Sequence, residues 1–249
     1  DAWSFIDYED FGFFENEIKP FYKENDFNIK LVEKIINLDV EEYYPKGKSQ
    51  TPNLSKNKEF IFVHIPKNAG RSISNSLGIE YEDEGHRSLM EIKNTISTEI
   101  YENAIKFAVV RNPFERIVSL YSFRMIEENW EYPIDYNPNL TFEEWWFNPI
   151  CRFYDRLYPP NCVKNPMYNM TKDENGDIGV DFILRYENLS DDWCNMFLTL
   201  NKTVPNLSVF NNSNHNKYHE YYNGKRGSQI KDVIYKNFKY NLKYFNYEF

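Results

Sequence analysis

Cysteine is scarce, three residues in 249, and the odd count leaves no complete disulfide framework. Cys151 and Cys162 can pair across a Pro-rich loop in an oxidising compartment, with Cys194 left over. No apolar run is long enough to span a bilayer, and no signal peptide is visible. Basic charge is not in excess: 29 Lys and Arg face 38 Asp and Glu, a net charge of −9. This argues against a nucleic-acid partner, because a phosphate backbone demands a basic surface. His and Cys never cluster at metal-ligand spacing, and the carboxylates form no calcium-loop pattern, so no metal is expected. G-x-G-x-x-G is absent, which removes the usual dinucleotide fingerprint. So is G-x-x-x-x-G-K-[ST], the loop that holds ATP or GTP with a hydroxyl on Mg²⁺. There are no internal repeats.

Two segments carry the chemistry. The first is Glu59 to Leu77, EFIFVHIPKNAGRSISNSL. Its apolar run (Phe60, Ile61, Phe62, Val63, Ile65) stops at Pro66-Lys67, a small-residue loop Asn68-Ala69-Gly70 follows, and an amphipathic stretch begins. That order predicts a buried strand, a tight turn and a helix start, which presents backbone N–H groups to an anion. Lys67 sits on the turn, within reach of the same anion. The second segment is Lys106 to Tyr121, KFAVVRNPFERIVSLY. Arg111 ends another short apolar run, and Asn112-Pro113 opens a helix. Phe114, Ile117, Val118 and Tyr121 then recur at helical spacing. Arg111 and Ser119 converge on one phosphate if this helix packs back beside the strand end, with the Arg fork suited to phosphate. Arg116 either joins them or, as helix geometry more often has it, is a solvated or salt-bridged face residue.

Together, HIPKNAGRS and VVRNPFERIVSLY resemble the two cofactor loops of the PAPS-dependent sulfotransferases. The likeness is nearer to the carbohydrate (heparan and chondroitin-type) branch and its bacterial and viral relatives. There the first loop is close to H-[IV]-P-K-[TN]-[GA]-G-T-S and holds the 5′-phosphosulfate of the donor. The second is close to [FV]-x-x-V-R-[ND]-P-[FWY]-x-R-x-x-S-x-Y and holds the 3′-phosphate. DFILRYENL (Asp181–Leu189) is similar to the family's strand and turn before a late helix. YNLKYFNYEF (Tyr240–Phe249) is similar to its closing segment, with Asn241 where Asp is usual.

The resemblance implies an α/β fold: one domain over 58–249, with a small, mostly parallel sheet flanked by helices and a P-loop-like strand–loop–helix. Residues 1–57 then form an N-terminal extension and linker. It also implies that Lys67 binds the 5′-phosphosulfate and steadies the bridging oxygen as the bond to sulfur breaks. The N–H groups of Asn68, Ala69, Gly70, Arg71 and Ser72 cradle the 5′-phosphate, with the Ser72 hydroxyl assisting. Arg111 and Ser119 clamp the 3′-phosphate. Arg71 stands where Thr is usual, so its guanidinium either adds charge to this pocket or swings away to an acidic acceptor.

Transfer of a sulfonate to a hydroxyl needs a base, and an imidazole titrating near neutrality is the default. Of the four histidines, His64 lies on the first strand and points opposite to Val63 and Ile65, while His215 and His219 lie in an Asn- and Tyr-rich stretch. His86 follows a polar loop and opens a helical pattern at Leu89, Met90 and Ile92. Relatives often carry a catalytic His between the two loops, which assigns that role to His86; the competing reading is a helix-capping or surface His. Glu82, Asp83 and Glu84 are the fallback bases, and as neighbours they favour the imidazolium.

The donor is thus expected to be PAPS and the acceptor a hydroxyl of a sugar or small molecule. The acidic balance disfavours a long sulfated polyanion. Trp130–Pro160 is dense in Trp, Tyr and Pro, with Trp145-Trp146 on a short helix opened by Thr141; its rings either stack on an acceptor sugar or pack a second small core. Gly224-Lys225-Arg226-Gly227 reads as a loop, either near the 3′-phosphate or simply solvated, and Ile230–Phe238 as a late helix. A bacterial or viral cytoplasmic protein is favoured, with a Golgi enzyme as the alternative if an N-terminal anchor has been trimmed. Two other readings compete. A nucleotide or small-molecule kinase with a variant phosphate loop needs a Mg²⁺-holding hydroxyl and a Walker-B acid, and no convincing pair is present. A non-catalytic binder needs no base, so the presence of His86 with Lys67 argues against it.

Overall fold

The computed structural model describes residues 53–80, 85–126, 140–147, 166–207 and 215–249. Cys151, Cys162, Glu82, Asp83 and Glu84 lie outside them, as do residues 1–52 and most of the Trp- and Tyr-rich stretch.

Three strands form a parallel sheet in the order β1 (Phe60–Val63), β2 (Ile105–Val110), β3 (Phe182–Arg185). Phe62 pairs with Phe107, and Phe107 with Phe182. Parallel neighbours need crossovers, and helices supply them. Between β1 and β2 run α1 (Gly70–Leu77), α2 (Leu89–Lys93) and α3 (Thr98–Asn103). After β2 comes α4 (Pro113–Ile126). Its start is dictated locally: Pro113 occupies the first position, and the Asn112 side chain accepts the Phe114 N–H at 2.9 Å.

Both faces of the sheet are covered, which is why its strands read as unbroken apolar runs. Alternation sorts their side chains. Ile61, Val63, Ala108 and Val110 join Leu54, Leu89, Ile92, Met167 and Met170 in one core. Phe60, Phe62, Phe107 and Val109 join Ile73, Leu184, Trp193 and Phe197 in the other. Phe62 and Phe107 stack at 5.2 Å between ring centroids, and burying each such ring contributes about 1.5–3 kcal/mol. Asn53 to Lys58, within the stretch that reads as linker, runs antiparallel beside β1 through the Leu54–Ile61 bridge and buries Leu54.

The remaining elements brace the strand ends. They are α6 (Pro166–Thr171), α7 (Leu189–Thr199), α8 (Gly224–Asn237) and α9 (Lys239–Phe245). Asn241 accepts the Tyr168 N–H at 2.9 Å, so the amide supplies the acceptor its position needs at the start of α6. The final residues are built in: Asn112 donates Nδ2–H to the Glu248 carbonyl at 2.8 Å, and the Phe249 ring stands edge-on to Phe114 at 4.9 Å. Glu187 accepts the Asn112 N–H at 2.6 Å and the Tyr247 hydroxyl at 2.9 Å.

Gly224 to Gly227 is not the expected loop but the first turn of α8. Gly227 is there because a Cβ would lie 2.3 Å from the Tyr222 backbone.

Residues 1–46 and 132–157 form a second compact unit, of which α5 (Phe142–Phe147) is described. Thr141 and Glu144 exchange the two bonds of a capping box. Trp145 and Trp146 are buried, not displayed on an open face. Among the described residues no helix is long and apolar enough to cross a membrane.

Candidate active site

The loop from Pro66 to Ala69 leaves the carboxyl end of β1 and turns into α1. It does so through backbone that side chains rarely adopt: φ is 67° at Lys67 and 60° at Ala69. Such conformations persist where the surroundings over-determine them. Here the clamps come from β2 and α4. Asn68, fully buried, donates Nδ2–H to the Val109 carbonyl at 2.7 Å. Arg111 donates NH1 to the Lys67 carbonyl at 3.1 Å, and Arg116 donates Nε–H to the Pro66 carbonyl at 2.9 Å. A trans peptide sets its N–H opposite its C=O. Fixing the Pro66 and Lys67 carbonyls toward these arginines therefore turns the Lys67 and Asn68 amides the other way. Ala69, at the N-cap of α1, has no side-chain acceptor to offer the first turn, where Gly70, Arg71 and Ser72 follow.

Arg116 is the residue that sequence reasoning misplaced. It is buried under the loop rather than solvated. One face of α4 carries Arg116, Ser119 and Phe123 at spacings of three and four. Arg116 holds the loop carbonyl, and the Lys67 ammonium sits 3.7 Å from the Phe123 ring centroid. Ser119, also buried, shares their helix face by this spacing. The spacing was the available signal.

Arg111 is held on three sides. Its guanidinium lies 3.8 Å from the Tyr186 ring centroid, and NH2 meets Glu115 Oε1 at 3.3 Å. Its buried Nε has no acceptor among the described residues. Tyr186 and Glu115 had no signature in the sequence.

His86 is brought to the same loop. Its Nδ1 lies 3.0 Å from the His64 carbonyl, and the two rings meet edge-on at 4.4 Å. A carbonyl only accepts, so Nδ1 carries the proton of that bond and Nε2 is the basic nitrogen of the neutral ring. Asn53 fixes the approach by donating to both the Phe62 and Gly85 carbonyls, at 2.9 and 2.7 Å. His86 does not cap α2; Ser88 does, in a capping box with Glu91. Burial lowers the His86 pKa to about 4, assisted by the charges of Arg116 and Lys67, while the bond to the His64 carbonyl opposes the shift. The structure thus departs from the expected imidazole titrating near neutrality, and the described charges beside it are positive. His64 is lowered too, first by burial, then by the charges of His86 and Arg71.

His215 and His219 sit elsewhere. His215 Nδ1 bonds the Asn216 carbonyl, and His219 stacks on Tyr218. Among the described residues no group of three His, Cys, Asp or Glu side chains is placed to hold a metal.

The arrangement offers a cationic grip (Lys67, Arg111, Arg116), a helix start without a side-chain cap, and a neutral imidazole with a defined tautomer. This set suits an anionic, phosphate-bearing donor and a proton to be removed. The profile of the Sulfotransferase family matches residues 51–248. No curated protein and no solved structure matches the chain. The kinase alternative is not favoured, because the family match spans both cofactor loops. The chain belongs to the sulfotransferase family and is a PAPS-dependent sulfotransferase.

Proposed function

We propose that this enzyme moves a sulfonate group onto a hydroxyl of a sugar or small molecule, with His86 as general base. The observation that carries the reading is the pair of arginines, Arg111 and Arg116, fastened to consecutive carbonyls of the Lys67 loop. They orient its amides and add two guanidinium charges beside its ammonium. The fit to a doubly phosphorylated adenosine rests on the donor set and on the buried Arg111 Nε, which awaits an acceptor.

PAPS supplies the activated sulfonate. Arg111 and Ser119 take its 3′-phosphate, and the amides of Asn68, Ala69, Gly70, Arg71 and Ser72 take its 5′-phosphate at the start of α1. His86 Nε2 receives the acceptor proton as oxygen attacks sulfur. Lys67 compensates the charge that grows on the bridging oxygen as the sulfur–oxygen bond breaks. His86 stands ready as a base because it is neutral at physiological pH. Negative charge delivered beside Lys67 and Arg116 offsets the cations that weaken it, so its basicity rises when the donor is bound.

A neutral or cationic acceptor agrees with the net charge of −9. The test has two arms. Calorimetry should show 3′-phosphoadenosine-5′-phosphate binding far more tightly than AMP. Mass spectrometry of a mixed pool of neutral sugars and small alcohols incubated with enzyme and PAPS should show added sulfonate. Equal affinity for the two nucleotides would defeat the reading.

A further inference from the structure

The His64 ring does more than fill the end of β1. It continues the Phe60–Phe62 side of the strand and stacks on Phe62 at 5.4 Å, with 18° between the planes. It occupies the space above Gly70: a Cβ there would lie 1.5 Å from His64 Nε2 and within 2.3 Å of two ring carbons. The glycine of the anion loop is therefore required by an imidazole, whatever the ligand requires. Its third neighbour is the His86 ring, edge-on at 4.4 Å, and its own carbonyl meets His86 Nδ1. One residue thus touches His86 twice, by ring and by main chain. Its freedom is removed by Phe62 on one side and by the bare Cα of Gly70 on another.

We propose that His64 is a positioning residue for His86: seated on Gly70 and Phe62, it fixes the carbonyl that holds the Nδ1 proton, so that Nε2 is the nitrogen turned to the acceptor. The proposal rests on the reading of His86 as base. The role belongs to the shape of the His64 ring and not to its titration. The charged groups acting on the two rings are Lys67 from the loop, Arg71 from α1 and Arg116 from α4.

The test reads the His86 ring directly and needs no acceptor. In protein carrying ¹⁵N-labelled histidine, long-range ring correlations separate the Nδ1–H from the Nε2–H tautomer, with His86→Gln used for assignment. The native protein should show Nδ1–H at His86. His64→Ala should give a mixture of the two tautomers at His86. Its affinity for 3′-phosphoadenosine-5′-phosphate should be unchanged, which shows the loops intact. His64→Phe should restore the native tautomer. A native tautomer in His64→Ala would overturn the proposal. So would a His64→Phe variant as disturbed as His64→Ala, or a parallel loss of nucleotide affinity. Failure of the base reading is a separate result: turnover that survives His86→Ala, whatever the tautomer.

Discussion

Arg116 and Pro66, fifty residues apart, are joined by one hydrogen bond of 2.9 Å from guanidinium Nε to main-chain carbonyl. The bond is buried and binds the helix after β2 to the turn after β1. Arg116→Ala leaves that carbonyl without its donor and opens space beneath the loop. A stability loss of about 2 kcal/mol is expected in urea denaturation, the order of a charge-assisted hydrogen bond. Affinity for 3′-phosphoadenosine-5′-phosphate should fall in calorimetry, and Arg116→Lys should recover only part of it, since lysine lacks the planar fork.

Gly70→Ala forces a methyl group into the His64 ring, 1.5 Å from Nε2. The ring must leave its seat or the helix must shift. Overpacking of this kind costs about 1–3 kcal/mol, and a thermal melt should record it. An alanine variant as stable as the native protein would mean that the ring has another place to go.

Stability should depend on acidity in a stated direction. His86 titrates at about 4 in the folded chain, against about 6.5 when unfolded. Between these values the unfolded chain binds more protons. Stability is therefore fully present above pH 6.5 and is lost as pH falls toward 4, by up to about 3 kcal/mol from this residue. His64 adds to the loss with the same sign. Melting temperatures followed from pH 7 to pH 4 should decline, and His86→Gln should flatten the decline without abolishing it.

Two variants at and beside Arg111, the proposed ligand of the 3′-phosphate, should move in opposite senses. Arg111→Ala should weaken 3′-phosphoadenosine-5′-phosphate by a larger factor than AMP, which loses only the clamp on the Lys67 carbonyl. Glu115 holds its carboxylate 3.3 Å from Arg111 NH2, where it competes with an incoming phosphate. Glu115→Gln removes that competition, so the doubly phosphorylated nucleotide should bind more tightly and leave more slowly. Titration of both nucleotides into each variant distinguishes the effects.

His86→Ala should lower turnover about 100-fold or more, the usual range for a lost general base, with nucleotide affinity kept. Lys67→Ala should lower turnover as well, and it alone of the two should also weaken nucleotide binding. These measurements need only a sulfonate-accepting compound from the mass-spectrometric screen.

The strands and the phosphate loop were legible because their causes are local. FIFV and FAVV are apolar without interruption because both faces of the sheet are covered, and Asn112-Pro113 starts α4 by its own chemistry. The family patterns brought Lys67, Arg111, Ser119 and His86 to notice. Arg116 was misread because its burial depends on a carbonyl that chain order places fifty residues away. The start of α8 was misread for a related reason. Two glycines close together look like a loop, yet Gly227 answers to the nearby Tyr222 backbone. The low pKa of His86 was equally out of view, since enclosure and two cations from distant segments produce it.

The last three residues, Tyr247 to Phe249, touch Glu187, Asn112 and Phe114, and Asn112 directly follows Arg111. Residues 247–249 thus act as a latch on the peptide that follows Arg111. Anyone shortening this protein for crystallisation or expression should treat those residues as part of the machinery, however far they lie from Lys67 along the sequence.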